Sequence, residues 1–208
     1  MFTNAALAGE CKPAPQANCA GADLSFKDLR GRDLTGIDLR QANLDHALLN
    51  GAILRDAVLS GAVLDYARLS GADLRGAKLD GARVQGAHLD RALLTGADLS
   101  RTQGVGTDFE YADLESANLS DAALPRADFI GADLERATLD RIQVRDGRFG
   151  TANLKLATLT DAELSGAGFS GALLKSATWV DGVVCGARSI GRCDRSIEAD
   201  SKRTAMAR

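Results

Sequence analysis

Apolar residues recur at every fifth position along this chain, from Leu24, Leu29, Leu34, Leu39, Leu44 and Leu49 as far as Val184. No insertion breaks the register. Leu fills most of this column; Phe, Val and Trp take other places, and Gly104 stands in it once. Two residues earlier runs a second column, mostly Ala, from Ala22 through Ala42, Ala47 and Ala52 to Ala177. Two apolar positions flanking a polar one read as in-out-in, the alternation of a short extended segment. A helix advances about 100° per residue, so a period of five would spread the column around its circumference and leave no face for a core. Gly31, Gly36, Gly51, Gly61, Gly71, Gly76, Gly81 and Gly86 fall at the fifth place of the unit, where a tight turn needs backbone freedom. Each pentad therefore predicts one short side followed by one corner.

The number of sides per coil is also legible. Phe109, Phe129, Phe149 and Phe169 sit in the Leu column twenty residues apart, on the track that earlier holds Leu29, Leu49, Leu69 and Leu89. Four pentads per coil would stack these rings at the inter-strand spacing, whereas three or five would scatter them. The expected architecture is an all-β, four-sided solenoid of about eight coils, near 40 Å long at about 4.8 Å per coil. Its square interior is one side chain deep, which is why the inner place favours Ala over anything larger.

Units such as Ala22-Asp23-Leu24-Ser25-Phe26, Ala72-Asp73-Leu74-Arg75-Gly76 and Ala97-Asp98-Leu99-Ser100-Arg101 follow the pattern A-[D/N]-L-x-x. In this the chain resembles the pentapeptide-repeat family over residues 22–184, about four-fifths of its length. The resemblance implies a right-handed quadrilateral β-helix, a handedness that periodicity does not supply. It is specific for fold and nearly silent on activity, since such families include topoisomerase-protecting DNA mimics beside many members without a known role. Residues 1–21 are read as an N-terminal cap or leader remnant, and 185–208 as a C-terminal cap and frayed tail.

Two departures stand out. Gly104 predicts a Leu-sized gap in the core, accommodated by a local kink or bulge, or else a functional bend or ligand approach. Lys27 and Arg32 occupy inner places in the first coil, where stems can pack while charges reach water at an open end.

Cys11 and Cys19 precede the repeat, and Cys185 and Cys193 lie at and after its end, each pair eight residues apart. Bridged Cα atoms must lie within about 7 Å, and a rod holds its ends much farther apart than that. Local disulfides Cys11–Cys19 and Cys185–Cys193 are expected. Zinc binding by one pair is the rival, with poor spacing and no nearby His; four free thiols in a cytoplasmic protein are the other alternative. Disulfides point to the periplasm or the cell exterior. Ala6-Leu7-Ala8 resembles the end of a secretory leader, although a leader's basic and apolar regions are missing.

Composition agrees with a globular repeat protein, with 45% hydrophobic and 25% charged residues and no apolar run of membrane-spanning length. Enzyme signatures are absent, and no metal or cofactor set is expected. His46 and His88 fall on different tracks without a Cys or second His at ligand spacing. The recurring Asp23, Asp33, Asp73, Asp113 and Asp133 belong to the repeat, where each can bond to backbone or solvent outside the core.

Two surface features rise above the repeat. Phe26, His46 and Tyr66 occupy fifth places twenty residues apart, which predicts an exposed aromatic ladder. Leu48, Ile53, Val58 and Val63 replace the usual Asp or Asn in four successive units, an apolar girdle around one coil. Each is read either as local packing or as contact surface. The function expected is an exported, non-enzymatic binding or structural rod that presents side-chain ladders to a protein or surface partner. The alternative is a DNA mimic acting on a topoisomerase such as gyrase. Between Ala22 and Val184 roughly 24 acidic and 18 basic residues interleave, whereas a rod of about 40 Å would imitate on the order of twenty phosphate charges. That shortfall favours the binding rod.

Overall fold

The computed structural model describes residues 11–194; the leader-like Ala6-Leu7-Ala8 and the tail after Asp194 lie outside the described residues. Backbone pairing keeps one offset throughout the solenoid. Parallel bridges join Asn18 to Asp38, Asp38 to Val58 and so on around all four sides to Thr158 and Thr178, always twenty residues apart. Four pentads complete one coil, as the Phe spacing predicts. The sides are shorter than ordinary strands. One residue per pentad makes a bridge, and among the described residues no longer strand forms, because a turn closes on either side.

The unit 42–46 illustrates how the backbone is satisfied. Ala42 N–H donates to Leu39 across the corner at 3.0 Å, and Asn43 N–H donates to Ala22 in the preceding coil at 2.9 Å. Leu44 and His46 N–H donate to Val63 and Asp65 in the following coil at 2.7 and 2.9 Å. The remaining donor, Asp45 N–H, is taken by the Asn43 side-chain oxygen at 3.1 Å. An Asp or Asn at the second place thus caps the one N–H that the coil leaves over, and Asp23, Asp33, Asp113 and Asp133 do the same.

At each corner the third turn residue takes a left-handed φ, as Gly51 does at 64° and Asp56 at 54°. Positive φ at that place alone defines a type II turn, which favours Gly. Non-glycine residues occupy it elsewhere because flanking hydrogen bonds over-determine the corner.

Inside, the Leu and Ala columns are buried from Leu34 to Leu159, whereas Ala162, Leu164 and Ala167 are partly exposed. Phe109, Phe129, Phe149 and Phe169 stack in one column with centroids 4.9, 4.9 and 4.7 Å apart and planes within 9° of parallel. Trp179 closes the column edge-on at 5.3 Å. The rings measure the rise per coil.

At Gly104 a Cβ would meet the Val84 carbonyl carbon at 2.6 Å, so the backbone of the preceding coil stands where a side chain would begin. The corner that follows is a bend, and the buried Thr107 hydroxyl donates to Val84 O at 2.9 Å. Outside, a notch of about 300 Å³ lies beside Gln85, Gln103, Gly104, Val105 and Pro125.

Both ends are tied by local bridges. Cys11–Cys19 spans 5.3 Å between Cα atoms and Cys185–Cys193 spans 5.0 Å. Cys19 itself is buried in the Leu column, and bridging already begins at Asn18. At the N-terminal mouth Lys27 and Arg32 are exposed and rim an opening of about 470 Å³ over Leu24 and Leu29.

The other end departs from the periodic reading. Val184 keeps the five-residue count but not the column: it is 56% exposed and pairs antiparallel with Thr178. Asp181-Gly182 makes a hairpin turn, with Gly182 at φ 77° and its N–H donating to Trp179. The chain then runs back across the last coil, where Ile190 pairs with Leu173.

Gly104→Leu would restore the repeat in sequence yet should cost about 1–3 kcal/mol, because the new side chain meets backbone rather than a cavity. Urea melts of the two proteins measure it, and a stabilised variant would reject this packing. Each bridge closes a loop worth on the order of 2–3 kcal/mol in the chain-entropy model. Reduction should therefore speed amide exchange near Leu24 and Leu174 before it reaches Leu74 or Leu79; uniform acceleration along the rod would contradict local capping.

Candidate partner-binding surface

Phe26, His46 and Tyr66 form a ladder along one edge. Phe26 and His46 stack at 4.9 Å with planes 16° apart, and His46 and Tyr66 follow at 5.0 Å with a 35° tilt. Phe26 is 68% exposed and Tyr66 45%. All three hold a left-handed φ of 55–57° at corners, which aims their side chains off the edge of the rod. His46 Nδ1 lies 3.0 Å from the Asp45 carboxylate, and Gln85 Nε2 donates to the Tyr66 hydroxyl at 2.7 Å. Tyr66 lies over Gly86, where a Cβ would come within 2.7 Å of its ring. Gly86 is thus the floor on which the ladder ends.

Stacking decides what this surface can bind. The inner ring faces cover one another, so the ladder offers ring edges and one open Phe26 face. A flat sugar or base has little face to stack on; an apolar or aromatic side chain of a protein partner can pack along the edges.

The girdle residues Leu48, Ile53, Val58 and Val63 are all half-buried. Their bridge neighbours in the next coil are Arg68, Asp73, Lys78 and Arg83, long or charged groups that flank the apolar ring. This surroundings suits packing of the shaft better than an open contact.

A second exposed column escaped the sequence reading. Tyr111 is 57% exposed, lies over Gly131 as Tyr66 lies over Gly86, and has the Arg91 guanidinium 6.0 Å above its ring. The signal was present: Arg91, Tyr111 and Gly131 share a fifth-place track at twenty-residue spacing.

Several carboxylates along the shaft are neutralised in place. Arg55 and Arg75 converge on Asp73, which is only 8% exposed, at 2.5 and 2.7 Å. Arg136 joins Glu115 and Glu135, Arg141 pairs with Asp121, and Arg148 with Asp128. Hydrogen bonds from Arg75, then from Arg55, outweigh desolvation and hold the Asp73 carboxyl at about 2. His46 and His88 are exposed on different tracks. No helix among the described residues is long and apolar enough to cross a membrane.

A family model for pentapeptide repeats matches eight copies over residues 17–56, 42–81, 72–103 and 105–141. The chain belongs to the pentapeptide-repeat family, whose members form right-handed β-helices. Among solved structures it is similar to HetL of the cyanobacterium Nostoc sp. strain PCC 7120, involved in regulating heterocyst differentiation. The two are 33% identical over 80% of this chain and 86% of that one, with a TM-score of 0.28. A thylakoid-lumen repeat protein of Arabidopsis thaliana is 32% identical over 50% of this chain and 66% of its own, with a TM-score of 0.30. QnrB1, a plasmid-mediated fluoroquinolone resistance protein, is 18% identical in a trypsin-treated form, over 66% and 74%, with a TM-score of 0.39. These superpositions add nothing to the family assignment. No functionally curated protein matches the chain.

The Asp73 site carries a pH signature. Its folded value lies below the ordinary 3.8, so the stability it contributes is complete above about pH 4 and is lost as pH falls through about 2. Denaturant melts across that window should show Asp73→Asn with the flatter acid dependence; parallel curves would remove the Arg55–Asp73–Arg75 cluster as a source of stability.

Proposed function

We propose that this protein works by binding, as a stiff rod of about eight coils that presents the Phe26–His46–Tyr66 ladder to a protein or surface partner. The observation that carries this reading is the register of the ladder: three rings, one per coil, held off one edge by corners fixed in the backbone ladder. Rings so held lose little conformational freedom on contact, and they bring apolar area without a pocket. The shaft is filled by Leu, Ala and Phe, so any site lies outside it. The presenting rod is the repeat read over residues 22–184, whose parallel bridging runs from Asn18 to Thr178, with a disulfide-bearing segment at each end. A disulfide at each end supports export to the periplasm or beyond, since such bridges persist in oxidising surroundings.

One observation favours the DNA-mimic alternative. Asp108, Glu110, Asp113, Glu115, Asp128, Asp133 and Glu135 crowd two adjoining sides in mid-rod. Arg136 and Arg148 offset part of this charge, and the patch covers a fraction of the length that a duplex would demand.

A partner captured by the oxidised protein should lose affinity at least tenfold when Phe26 and Tyr66 are both changed to Ala, the loss of two aromatic anchors. Circular dichroism of the double variant should match wild type, because both side chains are exposed. Unchanged affinity would move the contact to the Leu48–Val63 girdle. Inhibition of DNA supercoiling at physiological salt would replace this reading with mimicry.

A further inference from the structure

We infer that His88, Asp90 and Asp108 form a surface site for one divalent transition-metal cation, independent of the aromatic ladder. His88 and Asp108 face each other across one parallel bridge, and Asp90 follows His88 at the corner of the same coil. One imidazole nitrogen and two carboxylate oxygens lie within 4.8 Å of one another. The separation of His88 Nδ1 from Asp108 Oδ2 is 3.8 Å. That is too long for a hydrogen bond, yet two ligands bonded at about 2.0–2.2 Å to one ion stand roughly 3–4 Å apart. A small rotation of these partly exposed side chains closes the remaining distance.

The carboxylates are already oriented. Asp90 Oδ1 accepts the Ser70 hydroxyl at 2.6 Å, and Asp108 Oδ1 accepts Glu110 N–H at 2.9 Å. Each keeps its other oxygen for an ion, the arrangement by which outer hydrogen bonds fix a metal ligand. Asp65, Asp73, Asp121 and Asp128 have an arginine in close contact. Asp108 instead faces an imidazole, and Asp90 has Arg91 no nearer than 3.9 Å, with that guanidinium over Tyr111.

A depression of about 320 Å³ lined by Asn50, Arg68, Ser70 and His88 opens on the preceding-coil side of the imidazole, away from Asp108. Arg68 flanks His88 from the preceding coil and Asp108 from the following one, so a cation between His88 and Asp108 lies on the side away from Arg68. One nitrogen and two oxygens with open positions suit Zn²⁺ or a neighbouring first-row ion better than Ca²⁺, which takes oxygen ligands alone. The bound ion would tie one coil to the next.

Isothermal titration of the intact, oxidised protein with Zn²⁺ tests this. The expected result is one saturable site per chain and a rise in Tm on loading. His88→Ala and Asp108→Asn should each weaken uptake at least about tenfold, and Ser70→Ala, which leaves all three ligands, should weaken it by a smaller factor. Asp113→Asn, a carboxylate on the adjoining side, should leave uptake unchanged. Co²⁺ absorption bands that shift in His88→Ala would report the nitrogen ligand directly. Absence of saturation at about millimolar Zn²⁺, or uptake equally sensitive to Asp113 and indifferent to His88, overturns the site.

Discussion

The structure depends on one constraint: the backbone pairs with itself every twenty residues, so each coil is stacked on the last at the inter-strand distance. Four of the five N–H groups in a unit such as 42–46 find carbonyls in the adjacent coils or across the corner, and where the second place holds Asp or Asn its side chain takes the fifth. No side is long enough to be stable alone. Each coil is therefore held by its neighbours, and the ends are the weak places because they have a neighbour on one side only. The disulfides stand at those ends.

Stacking at a fixed rise turns chemistry into columns. The same spacing of 4.7–5.0 Å separates the buried phenylalanines and the exposed Phe26–His46–Tyr66 rings. Inside, it makes identical side chains the best neighbours. Outside, it lets Arg141 reach Asp121 and Arg148 reach Asp128 one coil away, so charges that look scattered in sequence are paired in space. A partner meets this protein as a set of parallel tracks, and a functional site on it is a track or a crossing of two.

Departures from the repeat matter because the scaffold around them is rigid. At Gly104 the backbone of Val84 and Gln85 in the preceding coil occupies the place where a side chain would begin. At Asp181-Gly182 the chain stops climbing and folds back as a hairpin. Under Tyr66 and Tyr111 a glycine leaves room for a ring to lie flat along the edge. Each is a place where one residue changes the shape of the surface while the ladder on either side continues.

The sequence by itself determined the period, the four sides, the stacked phenylalanines, the pairing of the cysteines and the register of the aromatic ladder. All of these follow from spacing, and spacing is preserved when a chain coils on a fixed offset. What only the tertiary structure decided is what happens between coils and where the rule ends. Periodicity marked Gly104 as a defect with a local kink or bulge, but which backbone atoms would close on that place follows from the coil before it. It placed Val184 in the column because the count continues through the hairpin, although Asp181-Gly182 was there to be read. Spacing puts Tyr111 and Gly131 on one track, but that the ring lies over the glycine, and that His88 meets Asp90 and Asp108, was decided in space, since both depend on how a side chain leans across to its neighbour one coil away.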